Sequence, residues 1–299
     1  VYFGTGETFG RGLDGAGSSG FPGTGLYRFN SSSSSMSLLA DSSVFGNINE
    51  VAVSSGTIYV AGQKGFFIST NAGSTFSEEA LSVTSGLPAM DVKLAGNGDV
   101  YYSAGVKSAS TSAVYYSAGG SSTYSSITPT VIANRGRIEI AVSPVDPNYV
   151  YLSIAKMKTT TTTTNGGLSA VMGSNDKGVT WKTISLGTAQ FDPLSVGTKG
   201  NGDFANTIVA HPSVKDVFYL GGDVFYGWDQ LESNPFGQGN WFQIGINIPI
   251  PVAFYIHSGV HDVKFNTGNG SMYIATDGGI YKSVSSNNGF LPYNKGLNI

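Results

Sequence analysis

From Arg137 onward the chain alternates short apolar runs with polar, turn-forming stretches. Ile138-Glu139-Ile140-Ala141-Val142 ends at Ser143-Pro144-Val145-Asp146-Pro147-Asn148, where two prolines and an Asp stop the run and set a turn. Tyr149-Val150-Tyr151-Leu152-Ser153, Leu168-Ser169-Ala170-Val171-Met172 and Trp181-Lys182-Thr183-Ile184 follow as further runs, with a Thr-rich insertion after the first of them. Runs this short, rich in β-branched and aromatic residues and bounded by turn chemistry, predict strands. The last two are joined by Ser174-Asn175-Asp176-Lys177-Gly178-Val179-Thr180-Trp181. Asp176 can accept backbone N–H groups of its own turn, and Gly178 can supply the positive φ that closes a hairpin. Thr180 and Trp181 then restart a strand with a β-branched residue and a large apolar anchor.

The same order recurs along the chain. Asn49–Val53, Thr57–Ala61 and Phe66–Ile68 lead to the turn Ser69-Thr70-Asn71-Ala72-Gly73-Ser74-Thr75-Phe76. Met90–Leu94, Val100–Tyr102 and Val114–Tyr116 lead to Ser117–Tyr124, a worn version of it. Asn206–Pro212 precedes Val217–Leu220, and that unit closes with Trp241–Ile244; Val260–Phe265, Ser271–Ala275 and Gly279–Ser283 make the last. At the start, Val1–Thr5, Gly25–Phe29 and Met36–Leu39 read as the second, third and fourth strands of a unit without a first. Four-strand units at a period of about 40–50 residues predict one all-β domain over residues 1–299, a β-propeller of about six to seven four-stranded blades with essentially no helix. The missing first strand and the abrupt opening read as a piece of a longer chain.

The turn at Ser174, Asp176, Gly178, Thr180 and Trp181 resembles the Asp-box of bacterial-neuraminidase-type repeats, whose pattern is Ser-x-Asp-x-Gly-x-Thr-Trp. Ser69, Asn71, Gly73, Thr75 and Phe76 repeat it, with Asn71 in place of Asp and Phe76 in place of Trp. In that family the box joins the third and fourth strands of a propeller blade, so the resemblance implies equivalent places for Trp181, Phe76 and Tyr124. Gly4-Thr5-Gly6-Glu7, Gly25-Leu26-Tyr27-Arg28 and Thr276-Asp277-Gly278-Gly279-Ile280-Tyr281-Lys282-Ser283 resemble secreted surface propellers of Bacteroidetes-type bacteria. Many of those leave the cell by type IX secretion, which the resemblance implies here only by analogy. Xyloglucanases are a more distant resemblance, also built on propellers with Asp-boxes.

Composition narrows the function classes. Charged residues make up only 12% of the chain and the net charge is -3 with 16 basic residues, which leaves no basic surface for nucleic acid and no polybasic membrane patch. Cysteine is absent, which removes disulfides, thiolate metal sites and a Cys nucleophile. No apolar run approaches the length of a membrane span, so direct membrane insertion is not expected. A glycosidase needs two carboxylates across a cleft, and Glu7, Asp14, Glu50, Asp91, Glu139, Asp203, Asp223, Asp262 and Asp277 are the candidates. Glu50, Asp91, Glu139 and Asp262 recur near the start of the first strand of four units, and recurrence argues for scaffold, since an active site breaks symmetry. With Arg11, Arg28, Arg135 and Arg137 as the whole arginine set, a three-Arg sialidase clamp is not expected. His257 and His261 stand four apart on a loop entering a strand, a spacing that separates them when extended, so no metal site and no cofactor is expected.

The long irregular stretches are Glu7–Thr24, Met157–Gly167, Ala189–Asp203 and Gly222–Asn240, the last with a high density of aromatics. Loops on a rigid frame carry binding, so Tyr226 and Trp228 are the candidate ligand contacts, for glycan or a neighbouring protein. No residue is assigned a catalytic role. The expectation is a secreted or cell-surface bacterial binding or assembly module whose partners are other surface or secreted proteins and glycans. The alternative is a polysaccharide hydrolase resembling xyloglucanases.

Overall fold

The computed structural model describes residues 1–8, 21–79, 87–105, 112–158, 166–196, 199–230, 236, 239–245, 254–266, 268–284 and 289–296. The Thr159–Thr164 run and most of the Glu7–Thr24 stretch, Arg11 and Asp14 included, lie outside them. The chain forms two compact units, one of Val1–Ile138 with Lys158–Thr160 and one of Glu139–Met157 with Thr161–Ile299.

The first unit holds three antiparallel meanders. Strands β1 (Tyr2–Gly4), β2 (Gly25–Asn30) and β3 (Ser35–Asp41) make a three-stranded sheet, followed by a single helical turn α1 (Ser42–Phe45). Asp41 starts that turn by accepting the backbone N–H of Ser43 at 2.8 Å. Strands β4 (Ile48–Ser54), β5 (Thr57–Gly62), β6 (Gly65–Ser69) and β7 (Ser77–Glu78) make the second sheet. The third contains β8 (Ala89–Leu94), β9 (Val100–Ala104), β10 (Ala113–Ser117) and β11 (Ser125–Ser126). Its core is a ring stack: Phe66 lies flat on Tyr102 at 4.2 Å between centroids, and Tyr124 meets both rings edge-on. Simple alternation would bury one residue of the Tyr101-Tyr102 doublet. Both are buried, because β9 is an interior strand covered on each face.

The second unit repeats the plan. Strands β12 (Ile138–Val142), β13 (Val150–Ala155), β14 (Leu168–Ser174) and β15 (Lys182–Leu186) form its first sheet. After a small hairpin of β16 (Ser195–Val196) and β17 (Lys199–Gly200), strands β18 (Thr207–Ala210), β19 (Val217–Gly221), β20 (Phe225–Gln230) and β21 (Gly239–Gly245) form the next. Strands β22 (Val260–Phe265), β23 (Met272–Thr276), β24 (Gly279–Ser283) and β25 (Phe290–Pro292) complete the series.

Strand β20 corrects the expectation of an irregular stretch at Gly222–Asn240. Phe225-Tyr226-Gly227-Trp228 alternates in type but is flanked by Asp223 and Asp229, which reads as a solvated segment. Registration against β19, with Phe218 opposite Trp228 and Leu220 opposite Tyr226, settles it as a strand.

The turns before β7 and β15 share one hydrogen-bond network. Ser174 Oγ accepts the Gly178 N–H at 2.7 Å and donates to Asp176 at 2.7 Å, while Asp176 accepts the Thr180 N–H at 2.8 Å and the Thr180 hydroxyl at 2.6 Å. Ser69, Asn71, Gly73 and Thr75 reproduce it: Ser69 Oγ accepts the Gly73 N–H at 2.9 Å, and Asn71 Oδ1 accepts the Thr75 N–H at 3.0 Å. One bond runs backwards, since the Asn71 amide donates to the Thr75 hydroxyl at 2.8 Å. Both turns put a non-glycine residue in the left-handed region, Lys177 at φ 61 and Ala72 at φ 57. Trp181, Phe76 and Tyr124 each stand immediately before the fourth strand of their sheet. The worn segment Ser117–Tyr124 turns differently: its positive-φ pair is Gly119 and Gly120, one position earlier in the pattern. Lacking the Asp, it borrows Asp99, which accepts the Gly119 N–H at 2.8 Å.

Candidate functional site

A cavity of about 620 Å³ opens in the second unit, between the β18–β21 sheet and the β22–β25 sheet. The first of these sheets supplies Tyr219 from β19, Phe242, Gln243 and Ile244 from β21, and His211 from the β18–β19 turn. Across from them stand Phe265, the turn residues Asn269 to Ser271, and Met272, Ser283 and Phe290. Phe242, whose ring also covers Gly227, is 42% exposed and Phe254 is 43% exposed, so both rings are open in part to water. Partly open rings in a concave site are available to a ligand.

Four polar side chains in the lining are each oriented by the protein through one of their atoms. His211 Nδ1 accepts the backbone N–H groups of Ser213 and Val214, each at 3.1 Å. That geometry leaves Nδ1 without a proton and places the hydrogen of the neutral ring on Nε2. Burial lowers the His211 pKa further below its usual range. Gln243 donates to the Gly245 carbonyl at 2.9 Å, which leaves Oε1 as an acceptor. Asn269 Oδ1 accepts the Ser271 N–H at 3.0 Å, which leaves its amide as a donor, and Ser283 Oγ accepts the Met272 N–H at 2.8 Å, which leaves its hydroxyl proton. Burial, then the Asp229 charge, push the Tyr219 hydroxyl upward, so it stays protonated. Among the described residues the lining contains no Asp, Glu, Lys or Arg.

The residues expected to carry contacts fall elsewhere. Trp228 is 2% exposed and stacks on Phe218 at 5.2 Å inside the core with Tyr151 and Phe236, so it is not the surface platform that its place in an aromatic-rich irregular stretch suggested. Tyr226 is half-buried and wedged against Phe191 at 5.3 Å and Trp241 at 6.4 Å. Ser174, Asp176, Gly178, Thr180 and Trp181, with Ser69, Asn71, Gly73, Thr75 and Phe76, sit in the two turns and away from the cavity lining. Three of the four recurring carboxylates, Glu50, Asp91 and Asp262, are engaged locally. Lys93 reaches Glu50 at 3.5 Å and also pairs with Asp91, and Asp262 accepts the Val263 N–H at 2.8 Å beside Lys264. His261 meets Asp277 at 2.7 Å rather than its neighbour Asp262, and Asn201 holds Asp223 at 2.9 Å. Arg135 is engaged by the carbonyls of Ser112, at 2.8 Å, and Ile132. Among the described residues no group of three or more His, Asp or Glu is placed to hold a metal ion.

Sequence reasoning missed the cavity residues. A signal was available in Trp241-Phe242: strand alternation must turn one of the two aromatics outward.

No protein-family model matches the chain, and no curated protein matches it by sequence. By structure it is similar to a GH74 enzyme of Niastella koreensis, at TM-score 0.55 and 18% identity over 91% of this chain and 41% of that one. It is similar to the GH74 xyloglucanase from Xanthomonas campestris at TM-score 0.54 and 13% identity, over 91% of this chain and 49% of that one. A nidogen/laminin complex contributes a further likeness, at TM-score 0.51 and 9% identity over 87% of this chain and 85% of that one. The chain therefore spans less than half the length of the two GH74 proteins. These likenesses and the six successive meanders define an all-β fold, the six-bladed β-propeller, with blade 1 represented by three strands. Its blades 5 and 6 flank the cavity.

Proposed function

We propose that this propeller is a non-catalytic binding module of a secreted or cell-surface bacterial protein. The observation that supports it is the chemistry of the cavity: aromatic rings and oriented amides and hydroxyls, with no carboxylate among the described lining residues to act as acid, base or nucleophile. Such a site holds a ligand and leaves it unchanged. Three of the four carboxylates that recur on the first strands of the blades, Glu50, Asp91 and Asp262, are engaged by a lysine or a backbone N–H group, as befits a scaffold. In this reading the turns at Ser174–Trp181 and Ser69–Phe76 are Asp-boxes whose work is to hold the third and fourth strands together. The partners are glycans and other surface or secreted proteins, and the chain is one part of a larger surface assembly.

The test is an incubation of the purified protein with xyloglucan and mixed-linkage β-glucan, read by release of reducing ends, beside a pull-down on the insoluble polysaccharides. Retention without release supports a binding module. Release that Asp262→Asn abolishes would instead establish the xyloglucanase-like reading.

A further inference from the structure

We propose that the cavity between blades 5 and 6 takes an uncharged saccharide, seated with a sugar face on the Phe242 and Phe254 rings. The inference rests on the binding-module reading and adds the site and the ligand class. Its volume of about 620 Å³ lies within the range of about 300–1,000 Å³ usual for small-ligand sites.

Charge selects the class. A uronic acid, a sulfated sugar or a phosphate needs a cation or a set of converging backbone N–H groups. Among the described residues, the lining offers no Lys or Arg, and the one titratable base, His211, is held neutral by the two N–H groups that point at its Nδ1. A basic ligand would find no carboxylate in the described lining and only the faces of the rings to offset its charge. An anion there would be desolvated and unpaired, and a cation only partly compensated by the rings, so a neutral ligand fits best.

Polarity then separates a sugar from a purely apolar guest. A sugar hydroxyl donates and accepts at once, and the lining presents both functions. Donors are the His211 Nε2–H, the Asn269 amide and the Ser283 hydroxyl, and the acceptor is Gln243 Oε1. Each is fixed from behind by a bond through its other atom, so little side-chain entropy is lost when a ligand arrives. Between these groups lie the apolar surfaces of Phe242, Phe265 and Phe290, which suit the C–H face of a pyranose. A wholly apolar guest would bury the same amides without partners.

The experiment uses the full chain and isothermal titration calorimetry. Cellotetraose, mannotetraose and xyloglucan heptasaccharide serve as neutral probes, with tetragalacturonate as the anionic one and a Leu/Phe-rich tetrapeptide as the apolar one. The expected result is binding of at least one neutral probe, no binding of tetragalacturonate, and a loss of about tenfold or more in Phe242→Ala and in Phe254→Ala. Each ring is a little over 40% exposed, with Phe242 also covering Gly227, so both alanine variants stay folded at a modestly lower melting temperature, and Phe242→Trp restores affinity. Neutral binding that both alanine variants retain would overturn this site while leaving the binding-module reading standing. Binding of the tetrapeptide alone, or of none of the probes at millimolar concentration, would overturn the ligand class. Release of reducing ends by the wild type with affinity still lost in the variants would refute the non-catalytic reading and keep the site.

Discussion

The turn at Ser174–Trp181 supports a prediction that needs no knowledge of the ligand. Asp176→Ala removes the acceptor for the Thr180 N–H, the Thr180 hydroxyl and the Ser174 hydroxyl together. A net hydrogen bond to a charged group contributes about 1.5–3 kcal/mol when buried. Thr180 is exposed and water can replace much of this, so the three bonds together contribute about 1–2 kcal/mol, comparable to a helix N-cap. Asp176→Asn should cost about half as much, because neutral hydrogen bonds are roughly half as strong as charge-assisted ones. Blade 2 already demonstrates that solution, with Asn71 accepting the Thr75 N–H at 3.0 Å and donating to the Thr75 hydroxyl at 2.8 Å. The assay is urea unfolding of wild type, Asp176→Asn and Asp176→Ala at pH 7, repeated as the pH is lowered. Burial raises the Asp176 pKa, but the bonds from the Thr180 side chain and backbone and from Ser174 outweigh it and leave the carboxyl below its usual 3.8. A depressed folded value means that the charge contributes stability above the unfolded pKa and loses it as pH falls through the folded one. The wild-type advantage over Asp176→Asn should therefore shrink below pH 3.8. An Asn variant as unstable as the Ala variant at pH 7 would refute the argument, since charge rather than hydrogen-bond geometry would then hold the turn.

Lys177→Gly should be neutral or stabilise by up to about 1 kcal/mol, because Lys177 holds φ at 61 and glycine reaches that region without steric cost; a loss of stability would show that its side chain packs. Trp228→Ala should destabilise by about 3–5 kcal/mol as a buried aromatic truncation, and a melting temperature within a degree of wild type would contradict its burial. For His211, a lowered folded pKa means that its contribution is present above its unfolded value near 6.5 and lost as pH falls through the folded one. Stability against pH between 7 and 5 should accordingly fall more steeply in wild type than in His211→Asn, which keeps a side-chain acceptor for Ser213 and Val214; parallel curves would sink that assignment.

Much of the architecture is local information. Apolar runs of about five residues, proline and Asp-rich stops, and the Ser-x-Asp-x-Gly turn mark the strands and their order, because those preferences arise within a few residues of backbone. The Asp176 and Asn71 networks are complete within eight residues of sequence each, so the chain needs nothing distant to form them. Where the pattern erodes, the outcome passes to tertiary structure. Ser117–Tyr124 has no Asp of its own, and its turn is set by Asp99 from the β8–β9 hairpin. Phe225–Gln230 carries enough polarity at its ends to read as a loop, and only pairing on both sides, with β19 and β21, makes it a strand and puts Trp228 inside. The cavity is the extreme case. His211 and Phe290 are 79 positions apart, and nothing in either neighbourhood encodes the other. Whether an aromatic on an outer strand faces a neighbouring blade or water depends on how two sheets pack, and periodicity within one strand carries no record of that.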